Sequence, residues 1–213
     1  MLRGTILDIQ AEQSEQERRV VGNHDAFFNG ASDKNANALY LDPGQVLFGD
    51  QNDQMIVATL GAGVLISVYD VDMHFGACGY VLLSDIILNA FPNFDDVDPK
   101  LLRTAFEPIE NCIGAMKRKG AGKNRIRIRL NGGAQIKGDP DDKGTKNYVF
   151  VREYLTRKGL SIMNEDLGGH YVRRVHFFPT TGRSVRWMLR RDHDFDDILS
   201  TETRFQQNIA SDL

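Results

Sequence analysis

Two cysteines, Cys78 and Cys112, are all that the 213 residues contain, and neither belongs to a Cys-x-x-Cys pair. A disulfide framework is excluded, structural zinc is not expected, and the usage fits a reduced compartment. Long apolar runs are missing as well. The longest, 61–69 and 80–88, are broken by polar residues well short of the ~18–20 needed to span a bilayer. No apolar stretch follows the start Met1-Leu2-Arg3-Gly4, so no secretory signal is expected and the expected location is cytoplasmic. A basic excess is also absent, with 26 Lys+Arg against 29 Asp+Glu and a formal charge of -3. The balance favours neither nucleic acid nor membrane insertion. No repeat of fixed period is present, which removes solenoids and arrays.

What is there is globular: 41% hydrophobic and 26% charged residues, enough to bury a core. Residues 1–36 are rich in Gln, Glu, Asn, Asp and Ser and read as a polar N-terminal arm; 37–190 read as one domain, and 191–213 as a polar acidic tail. Strands are expected around 45–48, 55–60, 64–69, 77–83, 125–130, 161–164, 172–178 and 184–189. The run 64–69 reads as a buried strand, 64–69 and 76–83 as a hairpin, and 172–178 and 184–189 as another around Pro179-Thr180-Thr181-Gly182. Ile126, Ile128 and Leu130 alternate with Arg125, Arg127 and Arg129, giving one apolar and one basic face.

Asp98-Pro99 predicts a helix start, and Leu102, Phe106, Ile109, Cys112, Ile113 and Met116 recur at three- and four-residue spacing to Gly120. Pro108 inside that pattern predicts a kink or a late start. A second helix is expected from near Asn147 to Gly159, after a polar loop over 137–146. The class is α+β, with mixed β-sheets and about two flanking helices.

Several motifs, in order, carry a resemblance: Leu39-Tyr40-Leu41-Asp42-Pro43-Gly44, Thr59-Leu60-Gly61-Ala62-Gly63-Val64, Asn131-Gly132-Gly133-Ala134, Asn164-Glu165-Asp166-Leu167-Gly168-Gly169 and Arg173-Arg174-Val175-His176-Phe177-Phe178-Pro179. The block 147–155 belongs with them. Over roughly residues 40–189 the chain resembles the CheD-type chemoreceptor glutamine deamidases of bacterial chemotaxis. The resemblance implies a single CheD-like domain and papain-like amide hydrolysis: a cysteine thiolate attacks a receptor glutamine, and a histidine serves as base and acid. It also implies methyl-accepting chemoreceptors and a CheC-type phosphatase as partners, and no cofactor.

Carried over residue by residue, the family's nucleophile falls on Gly63, its base on Tyr80 and its threonine on Val57, with Thr59 a neighbour that a shifted alignment would recruit. Glycine offers no nucleophile, and a phenol with a pKa near 10 is a poor base at neutral pH. The expectation is therefore a catalytically degenerate binding member. The alternative is an active deamidase with Cys78 as nucleophile and His74 or Tyr80 assisting, against the reading of Cys78 as a small buried core residue. A third reading has a glutamine-like ligand bound in the space vacated at Gly63. Cys112 is read as core.

Arg173, Arg174, Phe177, Phe178 and Arg183 are candidate partner-binding residues; Arg174 and His176 share a strand face, for which an ordinary solvated surface is the competing reading. The glycine clusters match no phosphate-binding signature and read as turns. Asp139, Asp141 and Asp142, and Asp192, Asp194, Asp196 and Asp197 around His193, lack calcium-loop spacing and read as solvated charge, so no metal is expected. Lys117, Arg118, Lys119, Lys123 and the three strand arginines form a basic surface without the exposed aromatics that RNA binding uses.

Overall fold

Strand β4 (Val64–Asp70) has every residue buried, because both of its faces are covered. In this computed structural model, which describes residues 37–136, 140–189 and 192–211 (the last without the side chains of 192–194, 210 and 211), β4 lies inside a five-stranded sheet. Its order is β2 (Val46–Gly49), β5 (Phe75–Val81), β4, β6 (Arg127–Gly132) and β7 (Ile162–Leu167). A second sheet runs β1 (Asn37–Leu41), β3 (Gln54–Leu60), β8 (Arg173–Phe178) and β9 (Arg183–Met188). The β1–β3 and β6–β7 pairs are parallel and the other pairings antiparallel. The polar arm expected over 1–36 lies outside the described residues.

The sheets pack face to face through a cluster that includes Leu41, Ile56, Leu60, Leu65, Tyr80 and Phe177. The opposite face of the five-stranded sheet carries Val64, Ile66 and Val68, which pack against helices in the larger core. The two hairpins read from the sequence are both present. Strand β1 was not anticipated; it pairs in parallel at the sheet edge, just before the turn at Asp42-Pro43-Gly44.

Five helices complete the described residues rather than about two: α1 (Asp85–Leu88), α2 (Pro99–Ala105), α3 (Glu107–Arg118), α4 (Lys143–Arg157) and α5 (Asp192–Ser211). Asp98 caps α2, its Oδ1 accepting from the amides of Lys100 and Leu101. Pro108 divides the expected long helix: α2 ends at Ala105 and α3 restarts at Glu107, with proline tolerated in its first turn. Helix α4 begins four residues before Asn147, because Asp142 caps it by accepting from the Thr145 amide, so the end of the expected polar loop is helical. The stretch beyond Arg191, read as a polar tail, contains α5.

Asn147 joins helix to sheet. Fully buried, its Oδ1 accepts from the Leu83 amide at 2.9 Å and its Nδ2 donates to the Lys143 carbonyl at 2.9 Å. Asn147→Ala leaves the buried Leu83 N–H without an acceptor, and a loss of ~1–3 kcal/mol is expected in equilibrium denaturant unfolding. A change below ~0.5 kcal/mol, the level of ordinary surface substitutions, would contradict this role.

Candidate functional site

Strand β3 belongs to one sheet and β4 to the other, so the link Gly61-Ala62-Gly63 crosses between them outside either ladder. Two of its carbonyls are satisfied by the chain leaving β6: the Gly133 amide donates to the Gly63 oxygen and the Ala134 amide to the Gly61 oxygen, both at 2.8 Å. Its three amides face the other way, into one side chain. Gly61 and Gly63 each donate to Glu202 Oε1 at 3.0 Å, and Ala62 donates to Oε2 at 2.9 Å. The Tyr80 hydroxyl donates to Oε1 at 2.6 Å, with the Thr59 carbonyl oxygen 3.2 Å away. Glu202, from the middle of α5, is 4% exposed, so these donors replace its water.

Helix α5 has two further anchors on this face. The Phe205 ring lies against Gly44, whose φ of +78° and whose contact with that ring both require glycine. Gln206 Nε2 donates to the Leu83 carbonyl at 2.8 Å. Ile198, one turn before Glu202, is also buried. The sequence does hold a signal for this helix: Phe195, Ile198, Glu202, Phe205 and Ile209 fall on one helical face, with no Gly or Pro between 192 and 211.

The positions to which the resemblance carries nucleophile and base are in contact. A Cβ at Gly63 would lie 2.3 Å from Tyr80 Cε2, and the Tyr80 ring is fully buried. The glutamine-like ligand expected in space vacated at Gly63 therefore has no room there, since the tyrosine ring and the Glu202 carboxylate fill it. Burial, then the adjacent Glu202 carboxylate, push the Tyr80 phenol well above its ordinary pKa, making it a donor and not a base. Burial also pushes the Glu202 carboxyl up, against the Tyr80 hydroxyl and the three loop amides. Val57 is buried on the far face of β3 with Met55 and Phe178. Thr59 turns its hydroxyl to Arg174 Nε at 3.3 Å and meets Tyr80 only through its carbonyl.

Cys78 is not brought to a base. It is fully buried, its Sγ 3.3 Å from Ser67 Oγ, and burial pushes the thiol up to about 12. His74 is exposed in the β4–β5 turn, four strand residues or about 13 Å along the chain from Cys78. Cys112 is buried in α3, as expected of a core residue.

Three of the five candidate partner residues offer no surface. Arg173, Phe177 and Phe178 are buried, and Arg173 meets Asp166 and the carbonyls of Gly168 and Tyr171, linking the end of β7 to β8. The reason is the strand pattern: Phe177 points between the sheets. Arg183 is exposed and stacks on the Phe178 ring. The face shared by Arg174 and His176 is not simply solvated, since His176 is 6% exposed and lies against Trp187. Of the acidic candidates, Asp142 caps α4 and Asp196 and Asp197 are exposed on α5; Asp139 and the side chains of Asp192, His193 and Asp194 lie outside the described residues. The basic surface is partly engaged: Arg125 pairs with the buried Asp70 at 3.0 Å, and Arg129 donates to the Tyr69 hydroxyl. No helix among the described residues is long and apolar enough to cross a membrane.

The family model for CheD chemotactic sensory transduction matches residues 97–186. A probable chemoreceptor glutamine deamidase CheD from Xanthomonas campestris pv. campestris is 35% identical over 159 residues, 74% of this chain and 76% of the relative. The chain belongs to the CheD family. It is also similar to the proteins of the same description from Zymomonas mobilis subsp. mobilis, 34% identical over 140 residues (65% of this chain, 73% of the relative), and Halorhodospira halophila, 28% identical over 174 residues (81% and 79%). CheD membership makes this a CheD-like chemotaxis protein.

Two predictions follow from the packing. Gly63→Ala forces a methyl group into the buried Tyr80 ring and is expected to cost ~1–3 kcal/mol by overpacking. In a Tyr80→His background, with its smaller ring, the cost should fall by at least ~0.5 kcal/mol; a double-mutant cycle without coupling would contradict the contact. For Cys78, the folded state holds the neutral thiol up to about pH 12, so iodoacetamide should leave it unmodified in native protein from pH 7 to 9 and label it in guanidinium. Rapid native labelling of Cys78 would overturn that assignment.

Proposed function

We propose that this chain is a cytoplasmic CheD-family chemotaxis protein that binds a methyl-accepting chemoreceptor without deamidating it. The observation that carries the reading is the contact of Gly63 with Tyr80, with a carboxylate held against both. Amide hydrolysis of the family's kind needs a thiolate, a base and an open approach for the glutamine. Gly63 supplies no thiol, the Tyr80 phenol keeps its proton, and Glu202 stands in the approach. Cys78 offers no substitute, being buried, protonated and remote from His74. The scaffold motifs that carry the resemblance are retained and largely buried, which fits a kept fold. The relatives are named chemoreceptor glutamine deamidases, and the receptor is the partner brought over from that name. A CheC-type phosphatase is the other partner the family resemblance suggests.

The test is mass spectrometry of chemoreceptor cytoplasmic fragments incubated with the purified protein and with its Cys78→Ser variant, paired with pull-down of the same fragments. Binding without the ~1 Da gain of glutamine-to-glutamate conversion is expected for a protein lacking the activated thiol. Conversion abolished by Cys78→Ser would replace this reading with a relocated thiol site. Absence of both binding and conversion would remove the receptor as partner.

A further inference from the structure

We infer that the Gly61–Gly63 amides and the Tyr80 hydroxyl form a carboxylate-binding site, filled in cis by Glu202 of α5 and open in trans to a partner helix that presents a glutamate. Four donors converge on the two carboxylate oxygens: three on Oε1, and the Ala62 amide on Oε2. A glutamine in the same pose would turn either its NH2 group towards Ala62 N–H or that group towards the other three donors, setting donor against donor. The site is therefore built for glutamate and selects against glutamine. The loop glycines keep the approach short: at Gly61 a Cβ would lie 2.8 Å from Glu202 Oε2, and at Gly63 it would lie 2.3 Å from the Tyr80 ring.

Helix α5 also defines the shape of an acceptable ligand. Its buried face presents Ile198, Glu202, Phe205 and Gln206, which is an apolar residue four before the glutamate, an aromatic three after it and an amide on the next position. Gln206 reaches the Leu83 carbonyl, and Phe205 fits over a glycine that has no side chain to oppose it. A partner helix with this spacing competes for the same donors. As long as α5 is docked, its covalent linkage supplies a high local concentration of competitor, so an incoming helix binds more weakly than the site allows. That the incoming helix comes from a chemoreceptor rests on the receptor-binding reading above; the cis occupancy does not.

The experiment uses the full chain and a synthetic peptide of residues 192–211. The probe is titrated against wild type and against Glu202→Ala, in which the site is vacated. The peptide is expected to bind Glu202→Ala at least about tenfold more tightly than wild type. Amide exchange at Gly61, Ala62 and Gly63 should be faster in that variant and slow again when the peptide is added. A peptide carrying E202Q should bind at least about tenfold more weakly than its parent. Should Glu202→Ala fail to fold, Phe205→Ala releases α5 from Gly44 and leaves the donors intact, with the same expectation. Equal peptide binding by wild type and variants overturns the cis occupancy, and equal binding of the parent and E202Q peptides overturns the selection for carboxylate. A receptor fragment that neither binds the protein nor displaces the bound peptide removes the receptor while leaving the site. Receptor binding that is identical in wild type and variants and leaves the peptide in place keeps the receptor and removes this site as its contact.

Discussion

A carboxylate leaves water only where other donors take over its hydration, and at Glu202 that requirement shapes its surroundings. Four donors converge on it, three from consecutive backbone amides and one from a phenol. Consecutive amides can point to one side only where the chain has left both β-ladders, and the crossing from β3 to β4 is such a place. The loop carbonyls then need partners on the other side, which the backbone after β6 supplies. Gly132, at φ +114°, is required there because a Cβ would lie 2.3 Å from the Gly63 oxygen. Two strands, a loop and a helix distant in sequence are thus tied to one buried anion.

Burial and hydrogen bonding oppose each other at this anion. Desolvation raises the Glu202 carboxyl, and the Tyr80 hydroxyl and loop amides lower it, with burial prevailing. Charge and donors are matched, yet the helix carrying the charge contributes few apolar side chains of its own. Most of α5 is charged or polar, so its docking depends on Glu202, Ile198, Phe205 and Gln206 and not on a broad apolar stripe. The double-sheet core, by contrast, rests on apolar area shared by β3, β4, β5 and β8, and does not depend on α5 for its cohesion.

The strands were legible because their physics is local. The run 64–69 is apolar throughout since β4 is covered on both faces, and 125–130 alternates since one face of that segment meets water. Asp98-Pro99 and Pro108 announced the boundaries of α2 and α3 through capping and the missing proline amide. The start of α4 was hidden because Asp-Asp-Lys-Gly is turn chemistry, and here Asp142 adopts a left-handed conformation before capping the helix. Helix α5 was hidden by composition: its apolar positions are sparse, and an acidic run reads as a solvated surface. Gly63 and Tyr80 could be named as a pair through the family resemblance, but their mutual contact and the glutamate against them arise from long-range packing. Glu202 is 139 residues from Gly63 along the chain, and no local pattern reports that distance.

On the proposed reading, the same donors bear on why this site would bind and not react. An acyl-transfer site needs hydrogen-bond donors for the oxygen of the substrate and a nucleophile on the other side of its carbon. The Gly61 and Gly63 amides here would serve the first need, since they already hold one carboxylate oxygen, each at 3.0 Å. The second need fails at Gly63, where the Tyr80 ring occupies the space a thiol would fill. On that reading, donors kept without a nucleophile would turn recognition of a transient oxyanion into recognition of a carboxylate. Glutamate, the end state of glutamine deamidation, is the side chain that satisfies those donors without further chemistry.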